Sequence, residues 1–248
     1  MTRPAIITSC TSPNHDARAA SIDMLILHYT GMATGAEALA RLCDATSRVS
    51  AHYLIEEDGR IFALVSEDRR AWHAGVSSWA GVSDINACSI GIELVNPGHA
   101  TPGYAGGYRP FPEAQMAALI ALARDIVKRH VIPSGRVLGH SDVAPGRKVD
   151  PGELFDWQRL AAEGLGVWPK PAGPAVDLQV LRPGDSGPDV YRLKQSLRRI
   201  GYGLGASEQF DEETRRVVQA FQRHFWPARL DGVADRETRS LIQALLLV

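Results

Sequence analysis

Two short apolar runs constrain this chain most. Residues 23–29 (DMLILHY) and 89–95 (SIGIELV) are almost continuously aliphatic, the pattern of strands buried inside a sheet. The stretches around them change period. Residues 34–43 read as a helix with Ala38, Leu39 and Leu42 on one stripe. Residues 112–130 place Met116, Leu119, Ile120, Ala123, Ile126 and Val127 at the 3.6-residue repeat of an amphipathic helix. Pro112 and Glu113 suit the first turn of that helix, and Lys128 and Arg129 its last. Residues 52–65 hold two strand-like runs about Asp58-Gly59, a dipeptide that tolerates the positive φ of a hairpin turn. Residues 136–139 read as a short strand that enters a polar loop running to Pro151, and residues 154–165 as a closing helix. Strands alternating with helices predict an α/β fold, a mixed central β-sheet flanked by helices.

The texture then changes. Residues 168–175 (WPKPAGPA) carry three prolines in eight positions, the composition of a stiff linker. Beyond it lie three amphipathic stretches, marked by Val190, Leu193, Leu197 and Ile200, by Val217, Val218, Phe221 and Phe225, and by Leu241, Leu245 and Leu246. The last two open alike on Asp211 and Asp235, a weak repeat offset by 24 residues in which each aspartate suits an N-cap. The sequence therefore predicts an N-terminal extension at 1–20, an α/β unit at 21–167, a linker at 168–177 and a small C-terminal three-helix bundle at 178–248.

Charge and cysteine usage narrow the function classes. The 27 basic and 28 acidic side chains of the 248 residues leave a net charge of −1, which argues against broad attraction to nucleic acid or an anionic membrane. No apolar run is long enough to span a bilayer. Cys10, Cys43 and Cys88 are too few and too scattered for a disulfide framework, and without a C-x-x-C pair they do not form a cysteine-rich zinc knuckle. The first ten residues offer only Arg3 and a short apolar patch around Ile6 and Ile7, so the chain as written reads as cytoplasmic. A periplasmic protein trimmed at its front would look the same.

Three polar residues stand at strand ends or near them. His28 ends the first core strand, His140 ends the short strand at Gly139, and Asp150 follows His140 by ten residues. Two imidazoles and one carboxylate would leave a tetrahedral Zn²⁺ one open position, the arrangement of a catalytic centre. In a chain with eight histidines the same residues also read as satisfied polar side chains, and no HExxH signature decides between the two.

Four segments in order carry a resemblance. They are HYT at His28, AWHAG at Ala71 to Gly75, SIGIELVN at Ser89 to Asn96 and GHSDVAPGRKVDPG at Gly139 to Gly152. They resemble the zinc-dependent N-acetylmuramoyl-L-alanine amidases of the amidase-2 family (AmpD/AmiD-like), a group similar in fold to phage T7 lysozyme and the peptidoglycan recognition proteins. The last of the four is the most specific. The resemblance implies Zn²⁺ as cofactor with His28, His140 and Asp150 as ligands, Glu93 as the catalytic glutamate and Lys148 as support for the developing oxyanion. Within its strand Glu93 points away from Ile92 and Leu94, so it can face a cleft. The implied reaction is hydrolysis of the amide between N-acetylmuramic acid, or its 1,6-anhydro form, and the L-alanine of the peptidoglycan stem peptide.

Trp72, His73 and Asn86 are candidate substrate contacts, with Tyr29, Ala87 and Asn96 lining the cleft. His52 reads as a packed or hydrogen-bonded strand residue. His15, His99, His130 and His224 receive no role, and Arg147 reads as an exposed loop residue. The tail, through Gly184-Asp-Ser-Gly187, Phe210-Asp211, Phe221-Gln222 and Asp231-Gly232-Val233, resembles a three-helix peptidoglycan-binding domain. The expected partners are peptidoglycan or muropeptides, the expected state a monomer. A non-catalytic recognition protein of the same fold is the alternative. A glycosidase would need two carboxylates flanking the bond, and Glu93 has no obvious partner other than Asp150. A serine or cysteine hydrolase would need a nucleophile motif that is absent here.

Overall fold

The computed structural model describes residues 5–99, 107–170 and 178–247. Residues 1–4 of the expected extension and 171–177 of the proline-rich linker lie outside the described residues.

The two apolar runs form neighbouring parallel strands. The strands are β1 (Ile6–Ile7), β2 (His15–Ala17), β3 (Met24–Tyr29), β4 (Tyr53–Ile55), β5 (Ile61–Ala63), β6 (Arg69–Ala71), β7 (Ser89–Leu94) and β8 (Val137–Gly139). Six of them form one sheet in the order β1-β5-β4-β7-β3-β8, and β2 pairs with β6 separately. Only β4 and β5, the hairpin around Gly59, run antiparallel within the large sheet. The helices of this part are α1 (Gly35–Cys43), α2 (Ile85–Cys88), α3 (Glu113–His130), α4 (His140–Val143) and α5 (Trp157–Ala162). α5 is shorter than the expected 154–165, and His140 opens α4 rather than closing a strand.

The period-two alternation of β3 divides the core. Leu25 and Leu27 join Ile90, Ile92 and Leu94 beneath Leu119, Leu122 and Ile126 of α3. Met24 and Ile26 point to the other face, beside Trp79, Ile85 and Val143. Parallel register places His28 opposite Glu93 and Leu27 opposite Gly139. The carboxyl ends of β3, β7 and β8 therefore meet at one edge, the place where open α/β sheets bind ligands.

Residues 5–20 of the expected extension are tied into the fold. β1 pairs with β5 and β2 with β6. Arg18 donates to the carbonyls of Glu67, Arg69, Asn86, Ala87 and Ser89, tying four segments together. Two- and three-residue strands with polar members carry no periodicity, so the sequence could not show them.

The tail forms α6 (Pro188–Ile200), α7 (Glu212–Phe225) and α8 (Arg236–Leu245). Asp211 and Asp235 cap the last two, accepting from the backbone N–H groups of Thr214 and Thr238. Leu193, Leu197, Val217, Phe221 and Leu241 belong to the same apolar cluster as Met24, Ile26 and Val143, so the two units share a continuous core. A polar knot sits in the seam. The Asp142 carboxylate is 1% exposed and accepts from the Gly139 N–H at 2.8 Å, the Tyr202 hydroxyl at 2.8 Å and His224 Nδ1 at 2.7 Å. The His224 ring lies stacked between Trp157 and Phe225, with centroids 3.7 and 3.9 Å away. Beside it, Gly201 at φ +139° admits the Trp79 indole, which would lie 2.4 Å from a Cβ at that position. His224, without a role on sequence grounds, thus joins tail to sheet.

Candidate metal and active site

β3 delivers His28 and β7 delivers Glu93 on the adjacent strand. β8 ends at Gly139, so His140 begins α4 at the same sheet edge. The following loop folds back: Ala144 O accepts from the Lys148 N–H, and Asp150 O from the Ser141 N–H. That turn brings Asp150 against both histidines. His28 Nδ1 lies 2.9 Å from His140 Nδ1 and 3.0 Å from Asp150 Oδ2, and His140 Nδ1 lies 3.0 Å from the same oxygen. All three side chains are buried.

This near-equilateral triangle fits a small divalent cation. Bonds of about 2.0–2.1 Å in a tetrahedron separate ligand atoms by roughly 3.3 Å, close to the observed edges. Two neutral nitrogens and one carboxylate are also the donor set zinc accepts with one position left open. Burial, then the neighbouring His140, lower the His28 imidazole to about 4, which keeps it neutral. Burial alone would raise the Asp150 carboxyl, yet the two histidines beside it hold it far below the usual carboxylate range. Among the described residues this is the group of histidine and acidic side chains able to hold a metal ion.

A cavity of about 370 Å³ opens in front of the triangle. Its walls include His28, Tyr29, Trp72, His73, Glu93, His140, Lys148 and Asp150. Eight of the eleven residues expected from sequence therefore meet in one place. Glu93 Oε2 is buried there without a hydrogen-bond partner. Burial and the Asp150 charge push the Glu93 carboxyl well above its usual value, while Lys148 pulls it down. A carboxylate with an unspent oxygen beside a metal position is arranged to exchange a proton with a bound water.

The other three expectations need correction. Asn86 is buried and does not line the cavity; its Oδ1 accepts from the backbone N–H groups of His73 and Ala74. Ala87 is likewise outside the lining, and its carbonyl accepts from Arg18. Both sit on α2, behind the wall made by His73. Asn96 is fully buried and donates to Arg109 O, so it too lies away from the cleft. His73 lines the cavity, but its ring nitrogens are engaged by His28 Nε2 at 3.1 Å and Ser89 Oγ at 3.2 Å. The Trp72 indole N–H donates to Asp16, which fixes that ring at the rim. The Tyr29 hydroxyl pairs with His99 at 3.0 Å, and His99 is held by Glu153. His52 lies just before β4 rather than on it; it is fully buried and accepts from the Gly91 N–H at Nδ1, a hydrogen-bonded residue as expected.

Sequence reasoning missed Arg41 and Arg147 as cavity residues. Arg147 donates to the carbonyls of Ala74 and Val76. Its place between Gly146 and Lys148 was the available signal, and nothing in that spacing separates a wall arginine from a loop one.

Known proteins resemble this chain along most of its length. The profile of the N-acetylmuramoyl-L-alanine amidase family matches residues 18–153, and a profile described as a peptidoglycan binding domain matches residues 186–242. The chain is 41% identical over 233 residues to the N-acetylmuramoyl-L-alanine amidase AmiD of Escherichia coli K12, covering 91% of this chain and 82% of that protein. It is 44% identical over 113 residues to the 1,6-anhydro-N-acetylmuramyl-L-alanine amidase AmpD of Haemophilus influenzae, covering 45% and 56%. Among solved structures, the E. coli AmiD complex with anhydro-N-acetylmuramic acid-L-Ala-D-gamma-Glu-L-Lys superposes with a TM-score of 0.78 at 40% identity, covering 94% of this chain and 92% of that one. AmpDh3 from Pseudomonas aeruginosa with an anhydromuramic pentapeptide gives 0.75 at 33% identity, covering 94% and 93%.

Proposed function

The chain belongs to the N-acetylmuramoyl-L-alanine amidase family, and from that premise we propose that it hydrolyses the muramoyl–L-alanine amide with zinc held by His28, His140 and Asp150. The enzyme serves peptidoglycan turnover or recycling, and muropeptides are its substrates. The observation that carries the assignment is the buried triangle of two imidazole nitrogens and a carboxylate oxygen, with Glu93 in register beside His28.

An amide resists hydrolysis because water is a weak nucleophile and an amine a poor leaving group. Zinc at this position supplies Lewis acidity, lowering the pKa of a coordinated water to about 7 and polarising the scissile carbonyl. The protein does the rest. His28, His140 and Asp150 would hold the metal, and the cavity that they line gives room for water and substrate. Glu93 Oε2 takes the proton of the attacking water and passes it to the departing nitrogen, so the products are a lactyl carboxylate on the sugar and the free amine of L-alanine. The Lys148 ammonium, in the same wall, stabilises the negative charge that develops on the carbonyl oxygen. Tyr29 and Trp72 border the space where the sugar and stem peptide lie.

The test is product analysis by mass spectrometry after digestion of soluble 1,6-anhydro-muropeptides and, separately, intact sacculi. Release of stem peptides with a free L-alanine amine, alongside peptide-free muramoyl sugar, is the expected outcome. Substrate that binds and stays intact would support the recognition reading instead, and cleavage between sugars would contradict both.

A further inference from the structure

The metal-facing nitrogens can be right only if each ligand imidazole carries its proton on the other nitrogen. We propose that the His73–Ala74 dipeptide, anchored by Asn86, fixes that tautomer for both histidine ligands, so that His73 and Asn86 are positioning residues and not substrate contacts. The proposal rests on the reading of His28, His140 and Asp150 as the metal ligands.

The direction of one hydrogen-bond chain can be derived from its end. The Ile85 carbonyl can only accept, and Ser89 Oγ lies 2.6 Å from it, so the single hydroxyl proton of Ser89 points there. Ser89 Oγ must then accept from its other neighbour, which is His73 Nε2 at 3.2 Å. With its proton on Nε2, neutral His73 presents a bare Nδ1 to His28 Nε2 at 3.1 Å, and His28 Nε2 must donate. His28 Nδ1 is left as a lone pair facing the metal position. The proton arrangement at β3 is thus set from a backbone carbonyl on α2, through a serine and a second histidine.

The other ligand is fixed by the next residue. His140 Nε2 lies 3.0 Å from the Ala74 carbonyl, an acceptor only, and 3.3 Å from Arg147 Nη2, a donor only; the shorter contact, with Arg147 Nη2 already donating to that carbonyl at 2.6 Å, places the proton on Nε2 and leaves Nδ1 bare. The Arg147 guanidinium donates to the same carbonyl, so two donors converge on it. Adjacent residues therefore hold both ligands, one through a side chain and one through its backbone. Asn86 Oδ1 receives the N–H groups of those same two residues, at 3.1 and 2.8 Å. Gly91 makes room for the arrangement, because a Cβ there would lie 2.4 Å from the His73 ring. With both tautomers so fixed, two lone pairs and a carboxylate oxygen converge within 3.0 Å, and a cation is what reconciles three acceptors at that distance.

The test uses the full chain and two readouts besides turnover. The first is zinc affinity by chelator competition. Outer partners of metal-bound histidines typically change affinity by about 10- to 100-fold. His73→Leu and Asn86→Ala should lose affinity by about that factor, whereas His73→Gln, whose amide offers an acceptor to His28 and a donor to Ser89, should stay within about threefold of wild type. Wild-type affinity in His73→Leu, accompanied by a raised KM, would restore the substrate-contact role and overturn the proposal. So would His73→Gln losing as much as His73→Leu. The second readout is the ¹⁵N NMR tautomer signature of the metal-free protein, which stays decisive where a variant fails to fold. Protons on Nε2 of both His28 and His140 are expected, and a proton on either Nδ1 overturns the assignment. A wild type with the expected tautomers that takes up no zinc would overturn the metal reading alone.

Discussion

Replacing Tyr202 with phenylalanine removes one oxygen from the seam between the catalytic unit and the tail. Tyr202 is 2% exposed, and its hydroxyl donates to Asp142 Oδ1 at 2.8 Å. Burial and the Asp142 charge raise the tyrosine hydroxyl well above its usual pKa, so it remains a donor. The second carboxylate oxygen keeps its two donors, Gly139 and His224. The substitution therefore strands half of one buried carboxylate and leaves no sizeable void. Hydrogen bonds to charged groups contribute about 1.5–3 kcal/mol, and losing about 2 kcal/mol in a chain of this length lowers the melting midpoint by about 4–8 °C. Scanning calorimetry of the metal-free protein reads this directly. Tyr191→Phe, at a tyrosine 41% exposed on α6, is the control and should move the midpoint little. Because the apolar cluster runs through both units, wild type should melt in one transition that shifts as a whole. A midpoint within about 1 °C of wild type, or two separate transitions of which only one moves, would refute the account of the seam.

Glu93→Gln keeps the side chain's size and removes the base; turnover should fall by at least about 10²-fold with zinc content unchanged, and near-normal turnover would contradict the mechanism. Lys148→Ala should lower kcat by about 10²-fold with a smaller change in KM, as measured on a soluble anhydro-muropeptide, whereas a change confined to KM would make Lys148 a binding residue only. Acid stability should depend on Glu67. Burial would raise its carboxyl, but Arg129, His130 and Tyr53 hold it at about 2 against a usual value of 4.5. A carboxyl depressed by folding stabilises fully above its unfolded pKa, and that contribution is lost as pH falls from about 4.5 towards 2. In urea titrations the stability gap between wild type and Glu67→Gln should therefore shrink between pH 5 and pH 3. A gap that stays constant would contradict the ion-pair account.

The long elements were legible because their signals are local. Residues 112–130 repeat their apolar stripe over several turns, and the structure starts α3 at Glu113 and ends it at His130. Asp58-Gly59 turns the β4–β5 hairpin with Gly59 at φ +87°. Asp211 and Asp235 cap their helices as their spacing from Thr214 and Thr238 predicts. What escaped notice depends on partners far along the chain. Asp142 meets residues 60 and 82 positions away, and neither Tyr202 nor His224 carries a local mark of that contact. Arg18 likewise looks like any surface arginine until its five carbonyl partners are seen. In the site, motif resemblance gathered His28, Glu93, His140, Lys148 and Asp150 correctly around one cavity. It misplaced Asn86 and Ala87 because closeness to a motif does not tell which side of a wall a residue occupies. The buried hydrogen bonds to His73 and Ala74 supply that information for Asn86.

The claim that three buried side chains hold one catalytic zinc is tested most directly by counting metal and activity together. Purified full-length chain is assayed for zinc per chain and for release of L-alanyl stem peptide before chelation, after it, and after zinc is restored. One zinc per chain is expected, with activity lost and regained in proportion to it, and with Asp150→Ala holding little metal at any stage. Undiminished amide hydrolysis by a chain shown to carry no metal after prolonged chelation would contradict the account.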